Sequence, residues 1–229
     1  MIRRPLVLKL ISVRPKTVIH IGGGNGQDGY YYKSLGVKLV IWGEVQTQLS
    51  ELISKKFPTD IVVSKKFGRE INGTPSKGKI YNSNTKKSTK FPTLNLETTV
   101  DYETKSLNLL SPIMMVVDTD GADLEVLAGA DRTLKKVSYL VLEQHRYWEN
   151  GEWYVKLTDV AYRYGFKRTI SRQSYSNYYE DVLYTRKNIV TIVFVKLIDV
   201  IVCQLKQIWH LIRFHHLSTS YFYCQKCGR

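Results

Sequence analysis

Cysteine is scarce in this sequence of 229 residues, and the first of its three cysteines is Cys203. A disulfide framework therefore cannot hold the main body together. No apolar run reaches the roughly 18 residues of an ordinary membrane-spanning helix. At the N-terminus the longest unbroken apolar run is Leu6–Leu8 and no small-residue cleavage site follows, so we predict no signal peptide. We expect a cytoplasmic protein, with peripheral contact to a membrane as an open alternative.

Acidic residues are also few, and the chain carries a net charge of +14. Such a surplus favours polyanionic neighbours such as nucleic acid, anionic lipid headgroups or acidic glycans, and it says nothing about the fold. Between Lys65 and Lys90 there are eight Lys or Arg residues, and Glu70 is the only acidic residue. We name residues 65–90 the lysine-rich segment. Its glycines and prolines predict a loop or short hairpins outside the core.

Strand and helix patterns alternate through most of the chain, which is typical of a parallel sheet flanked by helices. Seven strands are predicted, at residues 17–21, 38–42, 60–63, 112–118, 138–142, 166–170 and 182–184. Four helices are predicted between them, at residues 27–35, 46–56, 124–135 and 152–164. The fold class is therefore α/β, a Rossmann-like doubly wound sheet, which binds ligands at the carboxyl ends of its strands. We predict that this domain spans residues 1–187.

Residues 188–229 form a predicted C-terminal extension of a different kind. Within it, Ile189–Leu217 is rich in apolar residues, with polar residues every three or four positions, which predicts an amphipathic helix. That helix either docks on the body or on a second subunit, or lies in the headgroup layer of an anionic membrane. Cys224 and Cys227 form a single C-x-x-C pair, which is half of a structural zinc site. We predict two free thiols there and no metal.

A glycine-rich loop follows the first predicted strand, with five glycines in residues 22–29. Two patterns overlap in it: G-x-G-x-G at Gly22, Gly24 and Gly26, and G-x-G-x-x-G ending at Gly29. Glu44 ends the second strand, where an acidic side chain accepts the hydroxyls of a ribose. These features fit a dinucleotide and S-adenosylmethionine equally well. A glycine-rich turn without a ligand is the plainest alternative.

The second half of the chain contains an ordered series of motifs. They read MMVVDTDGADLEVLAG, YLVLEQHRYWENGEW, YRYGFKR and EDVLYTRK, and they follow TVIHIGG, YYYKSLGV and IWGE near the start. The series resembles the FkbM-type methyltransferase family over residues 16–187. In that family a strand ends in an aspartate, followed by a glycine and by an acidic residue that opens a helix. Asp118, Gly121 and Asp123 occupy those places.

The resemblance implies an S-adenosylmethionine-dependent methyltransferase whose seven-stranded sheet has an antiparallel last strand. Under it, Gly29 falls within a helix, the earlier glycines lie under the methionine part of the cofactor, and Glu44 holds the ribose. His20 stands where the family usually has an acidic residue. The implied cofactor-binding residues are His20, Gly22, Gly24, Asn25, Gly26 and Glu44.

Methylation of a hydroxyl requires a group that takes its proton. Asp118 at the end of the fourth strand, and Glu143 or His145 after the fifth, are predicted to converge at the mouth of the site, where any one of them is a candidate general base. Three alternatives stay open: a His145 held by backbone groups, an Asp118 that caps the turn at Gly121, and a divalent cation bound by Asp118, Asp120 and Glu143. We predict no metal.

The expected activity is O-methylation of a hydroxyl on a sugar, a glycan or a related small molecule. The lysine-rich segment is then either a solvated loop or a cover over the acceptor pocket that recruits an anionic acceptor. Two other function classes stay open: a nucleic-acid methyltransferase, and a non-catalytic module that binds a nucleotide or a membrane. Against nucleic acid, this segment and its edge offer only Phe67, Tyr81 and Phe91 for base stacking.

Overall fold

The computed structural model of the protein describes residues 14–71, 78–82, 87–91, 97–145, 152–173 and 179–186. For residues 78–82, 87–91, 145, 153, 154, 170–173 and 179, which include His145, the backbone alone is described. The predicted C-terminal extension, with its helix and both cysteines of the C-x-x-C pair, lies outside these ranges. Its structure and its partners therefore stay predictions.

Eleven strands are present in the described ranges: β1 Thr17–Ile21, β2 Leu39–Gly43, β3 Ile61–Val63, β4 Lys66–Phe67, β5 Gly78–Asn82, β6 Lys87–Phe91, β7 Glu97–Thr98, β8 Ile113–Val117, β9 Tyr139–His145, β10 Lys167–Gln173 and β11 Tyr179–Thr185. The helices there are α1 Gly29–Ser34, α2 Thr47–Lys56, α3 Val100–Thr104, α4 Asp123–Ala128, α5 Asp131–Leu134 and α6 Glu152–Arg163. None of these helices is long and apolar enough to cross a membrane.

Seven of the strands form one sheet in the order β10-β11-β9-β8-β1-β2-β3. Strands β3, β2, β1, β8 and β9 run parallel to one another. The last strand, β11, lies between β9 and β10 and is antiparallel to both. The predicted seven-stranded doubly wound sheet with an antiparallel last strand is thereby confirmed.

The centre of the sheet is covered on both faces. Every residue of β1 and β8 is buried, which explains why β8 is an apolar run without alternation and why β1 is apolar except for Thr17 and His20. One face packs against α4, α5 and α6 through a cluster that includes Leu127, Leu134 and Leu157. The other face packs against α1 and α2 through Tyr32, Trp42 and further apolar residues. Because helices pack on both faces of the sheet, the ends of the strands are its uncovered parts.

The predicted single helix at residues 124–135 is wrong. The chain forms α4 and α5 instead, with a break at Gly129 and Ala130. A Cβ on Gly129 would lie 2.1 Å from the carbonyl oxygen of Gly68, and the carbonyl of Gly129 accepts a hydrogen bond from the Asp101 N–H. The close approach of the Gly68 backbone therefore requires glycine at the position where α4 ends.

The lysine-rich segment forms short strands in part, as predicted, but one prediction about it is wrong. Strands β5 and β6 pair as an antiparallel hairpin, and β4 pairs with β7 in a second small sheet. Phe67 in β4 belongs to the hydrophobic core and lies against Gly43, where a Cβ would be 2.5 Å from its ring. The start of the segment is thus core, because an aromatic ring fills the gap that a glycine leaves.

Candidate active site

The glycine loop after β1 is held tightly against both neighbouring strands. The Gly22 N–H donates to the carbonyl of Gly43 at 2.8 Å, and the Asp118 N–H donates to the carbonyl of Ile21 at 3.0 Å. Gly22 has φ +86, and a Cβ there would lie 1.7 Å from the Asp118 carbonyl oxygen. Only glycine fits at this position. The loop therefore lies where the carboxyl ends of β1, β2 and β8 meet.

Gly24, two residues further, faces open space. Its φ is +54, and a Cβ built on it would meet no heavy atom within 4 Å. Its N–H donates to Glu44 Oε2 at 2.8 Å. On this side of the loop a ligand can approach the backbone closely. Glycine loops in other proteins bind cofactors in this way.

Close packing explains the glycine at position 29, without a second ligand-binding glycine motif. It is the first residue of α1, and a Cβ on it would lie 2.3 Å from the ring of Phe57. The prediction that Gly29 falls within the helix is confirmed. The G-x-G-x-x-G pattern therefore has a structural explanation that needs no dinucleotide.

Glu44 joins the loop to the end of β2. Its carboxylate is buried and accepts hydrogen bonds from the N–H groups of Gly24 and Gln46, at 2.8 and 2.9 Å. Burial raises the pKa of Glu44, and the N–H donors around it, Gln46 first, lower it. Glu44 thereby fixes the shape of the loop. Each carboxylate oxygen has a second lone pair with which it can accept a hydroxyl.

His20 lies beneath the loop, in the hydrophobic core. Its side chain is 1% exposed and stacks on the ring of Trp42, with centroids 5.1 Å apart. Its Nδ1 is hydrogen-bonded to the hydroxyl of Tyr32 at 2.9 Å. The imidazole is held in place by this aromatic packing and hydrogen bond, and direct contact with a cofactor stays a prediction. Asn25 is exposed and its carbonyl accepts from Lys56 Nζ at 2.8 Å.

Asp118 and Glu143 stand next to each other at the carboxyl edge. Val117 of β8 pairs with Leu142 of β9, so Asp118 and Glu143 are the next residues on these neighbouring strands. Both side chains are half-buried. The structure therefore brings these two predicted candidates together, beside the glycine loop that Asp118 touches. His145 is the last residue of β9, and its side chain lies outside the described part of the chain.

Two further carboxylates face the same place, and one of them is absent from the sequence-based candidates. Asp181 of β11 is the direct register partner of Glu143 and is 6% exposed. Directly opposed residues of antiparallel strands point to the same face, where like charges destabilise the sheet. The sequence analysis missed Asp181 because it predicted the last strand to begin at Val182. The alternation in EDVLYT, with Asp181 and Leu183 on one face, is the signal that identifies it.

Asp123, the other carboxylate, opens α4 behind Glu143. Its Oδ1 accepts hydrogen bonds from the N–H and the hydroxyl of Thr119, at 3.1 and 3.0 Å. Burial raises the pKa of Asp123, the hydrogen bonds from Thr119 lower it, and the nearby Glu143 carboxylate raises it. Asp123 thus fixes the turn after β8 and places negative charge near Glu143.

The site as a whole is an acidic edge beside a glycine loop. Glu44, Asp118, Glu143 and Asp181 follow one another along the strand ends β2, β8, β9 and β11. In the described part of the chain, no three or more His, Cys, Asp or Glu side chains are grouped so that they could hold a metal ion. The arrangement can stabilise a cation, accept hydrogen bonds from several hydroxyls and take up a proton.

Comparison with known proteins identifies a family. The family model described as the methyltransferase FkbM domain matches residues 43–164, which is more than half of the chain. The matched range includes Glu44, Asp118 and Glu143 and begins after the glycine loop. No curated protein matches the sequence.

The solved structures that are similar to this chain include three methyltransferases of low sequence identity. TrmK of M. capricolum, solved with S-adenosyl-homocysteine, has a TM-score of 0.50 and 10% identity, with 82% of this chain and 70% of that one covered. Precorrin-6y C5,15-methyltransferase of Geobacter metallireducens has a TM-score of 0.49 and 10% identity, covering 80% and 87%. A SAM-dependent methyltransferase of Aquifex aeolicus has a TM-score of 0.42 and 15% identity, covering 80% and 94%. At such identity the likeness concerns the fold alone.

Proposed function

This chain belongs to the methyltransferase FkbM domain family, and from that membership we propose that it is an S-adenosylmethionine-dependent O-methyltransferase acting on a hydroxyl of a sugar, a glycan or a related small molecule. The observation that carries the proposal is the acidic edge beside the glycine loop. Asp118 and Glu143 stand on neighbouring strand ends, and Asp181 directly opposes Glu143. A polyhydroxylated acceptor matches a row of carboxylate oxygens, because each oxygen accepts a hydroxyl proton donor.

The residues of the loop fit the cofactor. Gly24 leaves open space where a Cβ would stand, and Glu44 is a buried carboxylate at the end of β2. Gly22, Gly24, Asn25 and Gly26 would hold the methionine part with their backbone, and Glu44 would accept the ribose hydroxyls. His20 supports the loop from below through Trp42 and Tyr32. When bound, S-adenosylmethionine supplies a methyl group made electrophilic by a cationic sulfur.

Three acidic side chains around the loop perform two tasks in this proposal. Glu44 and Asp118 provide negative charge near the loop, and such fixed charge stabilises a bound cation more than its neutral product. Asp118 or Glu143 accepts the proton of the acceptor hydroxyl as the new O–C bond forms, so that no alkoxide has to exist beforehand. Holding the acceptor oxygen in line with the methyl group supplies much of the remaining acceleration.

The lysine-rich segment gives the proposal a more specific form. Its backbone hairpin, β5 and β6, connects β4 and β7, which lie near the carboxyl end of β2 through the contact of Phe67 with Gly43. A basic segment so placed would attract an acceptor that carries a carboxylate or a phosphate. The proposed acceptor is therefore an anionic sugar or glycan, whose hydroxyls bind the acidic edge and whose anionic group binds the lysines.

The test uses isotope-labelled S-adenosylmethionine with neutral sugars, hexuronates and sugar phosphates as acceptors. We expect a methyl ether as the product, with hexuronates or sugar phosphates as the better acceptors. A short RNA and a primary amine belong in the same panel. Transfer to the RNA or to the amine, with none to any sugar, would contradict the proposed acceptor class while leaving the methyltransferase intact.

Neutralising the lysine-rich segment should weaken acceptor binding selectively. In the variant with Lys77, Lys79, Lys86 and Lys87 changed to Gln, we expect the KM for an anionic acceptor to rise roughly fivefold or more and to lose its salt sensitivity, because the attraction is electrostatic. A variant with Lys55, Lys105, Lys135 and Lys156 changed to Gln loses the same charge and serves as the control. Equal KM values and equal salt sensitivity in the two variants would contradict a role of the lysine-rich segment in acceptor binding.

A further inference from the structure

The edge of the sheet opposite to the glycine loop carries a row of cations. Lys16 directly precedes β1, Lys38 directly precedes β2, and Lys136 lies shortly before β9. All three side chains are exposed. Lys16 and Lys38 are neighbours, since the Lys38 N–H donates to the carbonyl of Lys16 at 2.8 Å. Two cationic residues therefore have adjacent backbones at this edge.

The row continues along the amino ends of the other strands. Lys167 is the first residue of β10, and Arg186 follows the last residue of the antiparallel β11, which ends at the same edge. The cationic residues at this edge are together called the amino-edge surface. They are Arg14, Lys16, Lys38, Lys135, Lys136, Lys167 and Arg186. Asp131 is the one carboxylate of the described residues that pairs with a member, Lys135, at 2.7 Å.

Three members of this surface carry charges that no described carboxylate nearby compensates. Among the described residues, no carboxylate lies within 4.0 Å of the amino groups of Lys16, Lys38 or Lys136. Four carboxylates, those of Glu44, Asp118, Glu143 and Asp181, lie at the other edge. At the amino edge, Asp60 directly precedes β3 and pairs with Lys33, and Asp131 pairs with Lys135, so the cations of this edge outnumber these two carboxylates. Adjacent like charges cost folding free energy, and an anionic partner would compensate that cost.

The form of the surface favours a flat partner over a nucleic acid. Seven strand ends side by side span roughly 30 Å. An apolar side chain, Leu110, is 39% exposed there, and its N–H donates to Thr17 Oγ1 at 2.9 Å. The exposed aromatic residues of the described chain, Tyr30, Tyr102 and Tyr162, belong to helices, and none of them is a strand residue or directly flanks a strand, whereas base stacking on this row would require aromatic side chains among its cations.

The adjoining sequence has matching chemistry. The 13 residues that precede Arg14 contain Arg3, Arg4 and Lys9, no acidic residue, and seven Ile, Leu or Val residues. Basic residues mixed with aliphatic ones are typical of segments that bind at a lipid–water interface. The composition of the 13 residues that precede Arg14 therefore suits the same kind of partner as the amino-edge surface.

We propose that the amino-edge surface binds the anionic headgroups of a lipid membrane. Its lysines and arginines face the phosphates, and Leu110 adds an apolar contact. With the amino edge on the membrane, the site at the carboxyl edge faces away from it. The strands hold the two edges about 17 Å apart, so the acceptor is methylated on the solvent side and not within the bilayer.

The experiment measures binding of the full-length protein to vesicles of phosphatidylcholine alone, and of phosphatidylcholine with about one third phosphatidylglycerol. The test variant carries Lys16→Gln, Lys38→Gln and Lys136→Gln. The control variant carries Lys55→Gln, Arg69→Gln and Lys156→Gln, which are exposed, remove the same charge and lie elsewhere. We expect the wild type and the control to bind the anionic vesicles, and the test variant to bind them roughly tenfold more weakly or worse.

Three results would overturn the proposal. The first is failure of the wild-type protein to prefer anionic vesicles. The second is an equal loss of binding in the test and control variants, because net charge alone would then explain it. The third is a loss of affinity for duplex RNA in the test variant while vesicle binding is unchanged, which would identify the partner as nucleic acid. Equal S-adenosylhomocysteine binding by all three proteins is the check that they are folded.

Discussion

Alanine at position 22 is expected to lower the free energy of unfolding by roughly 3–5 kcal/mol, which is large for one added methyl group. Gly22 combines two constraints. Its φ of +86 is unfavourable for any residue with a Cβ, and that Cβ would lie 1.7 Å from the Asp118 carbonyl oxygen. Since the obstacle is backbone and not a side chain, β1 and β8 would have to separate at their carboxyl ends.

Gly36→Ala is the matched control for this prediction. Gly36 also has a positive φ, +77, but a Cβ there meets no heavy atom within 4 Å. The variant should therefore lose only the conformational term of about 1–2 kcal/mol. Denaturant unfolding of both variants gives the comparison. Similar losses for the two glycines would mean that the loop is not pressed against β8.

Removing both strand-end carboxylates is expected to lower kcat by roughly a hundredfold to ten-thousandfold, the usual worth of a general base. The variant is Asp118→Asn with Glu143→Gln, which keeps the shape of both side chains. Affinity for S-adenosylhomocysteine should change little, because its sulfur is neutral and the charge of Asp118 is proposed to act on the cationic sulfur of S-adenosylmethionine. The single variants then identify the base, since the larger loss belongs to the group that takes the proton.

Asp120→Asn is the control for the loss of charge. Asp120 is exposed and lies two residues from Asp118 in the same turn, and it has no assigned role. Its replacement should leave kcat within about twofold, since exposed charges contribute little. If the double variant kept wild-type kcat with a sugar acceptor, the proton would have to leave by another route, and His145 would be the next residue to replace.

The sheet could be predicted from the sequence because its strands are buried on both faces. β8 is an unbroken apolar run and β1 is apolar except for Thr17 and His20, and the predicted range of the first strand is identical to the observed one. Glu44 and Asp118 were also predictable, since they directly follow such runs. The sequence motifs also indicated the family, and the match of the family model over residues 43–164 confirms it.

Contacts between distant segments could not be predicted in this way. The need for glycine at position 129, where α4 ends, depends on the backbone of Gly68, and the burial of Phe67 depends on the missing side chain of Gly43. The role of His20 as an aromatic core residue requires Trp42 and Tyr32 from other elements. Asp181 enters the site only through the register of an antiparallel strand. Each of these facts joins residues far apart in the chain.

The central claim is that the glycine loop and Glu44 hold S-adenosylmethionine. The substitution Gly24→Ala distinguishes an effect on cofactor binding from an effect on folding. It has little steric cost to the fold, because a Cβ on Gly24 faces open space. The added methyl group would occupy the space assigned to the cofactor. Gly24→Ala should therefore resemble Gly36→Ala in stability and differ from it in binding.

Calorimetric titration of the wild-type protein with S-adenosylhomocysteine and, separately, with NAD is the most direct test. We predict saturable one-to-one binding of S-adenosylhomocysteine, no binding of NAD, and binding of S-adenosylhomocysteine that is lost in Gly24→Ala but kept in Gly36→Ala. Binding of NAD, with no heat from S-adenosylhomocysteine, would contradict the account. So would unchanged affinity for S-adenosylhomocysteine in Gly24→Ala.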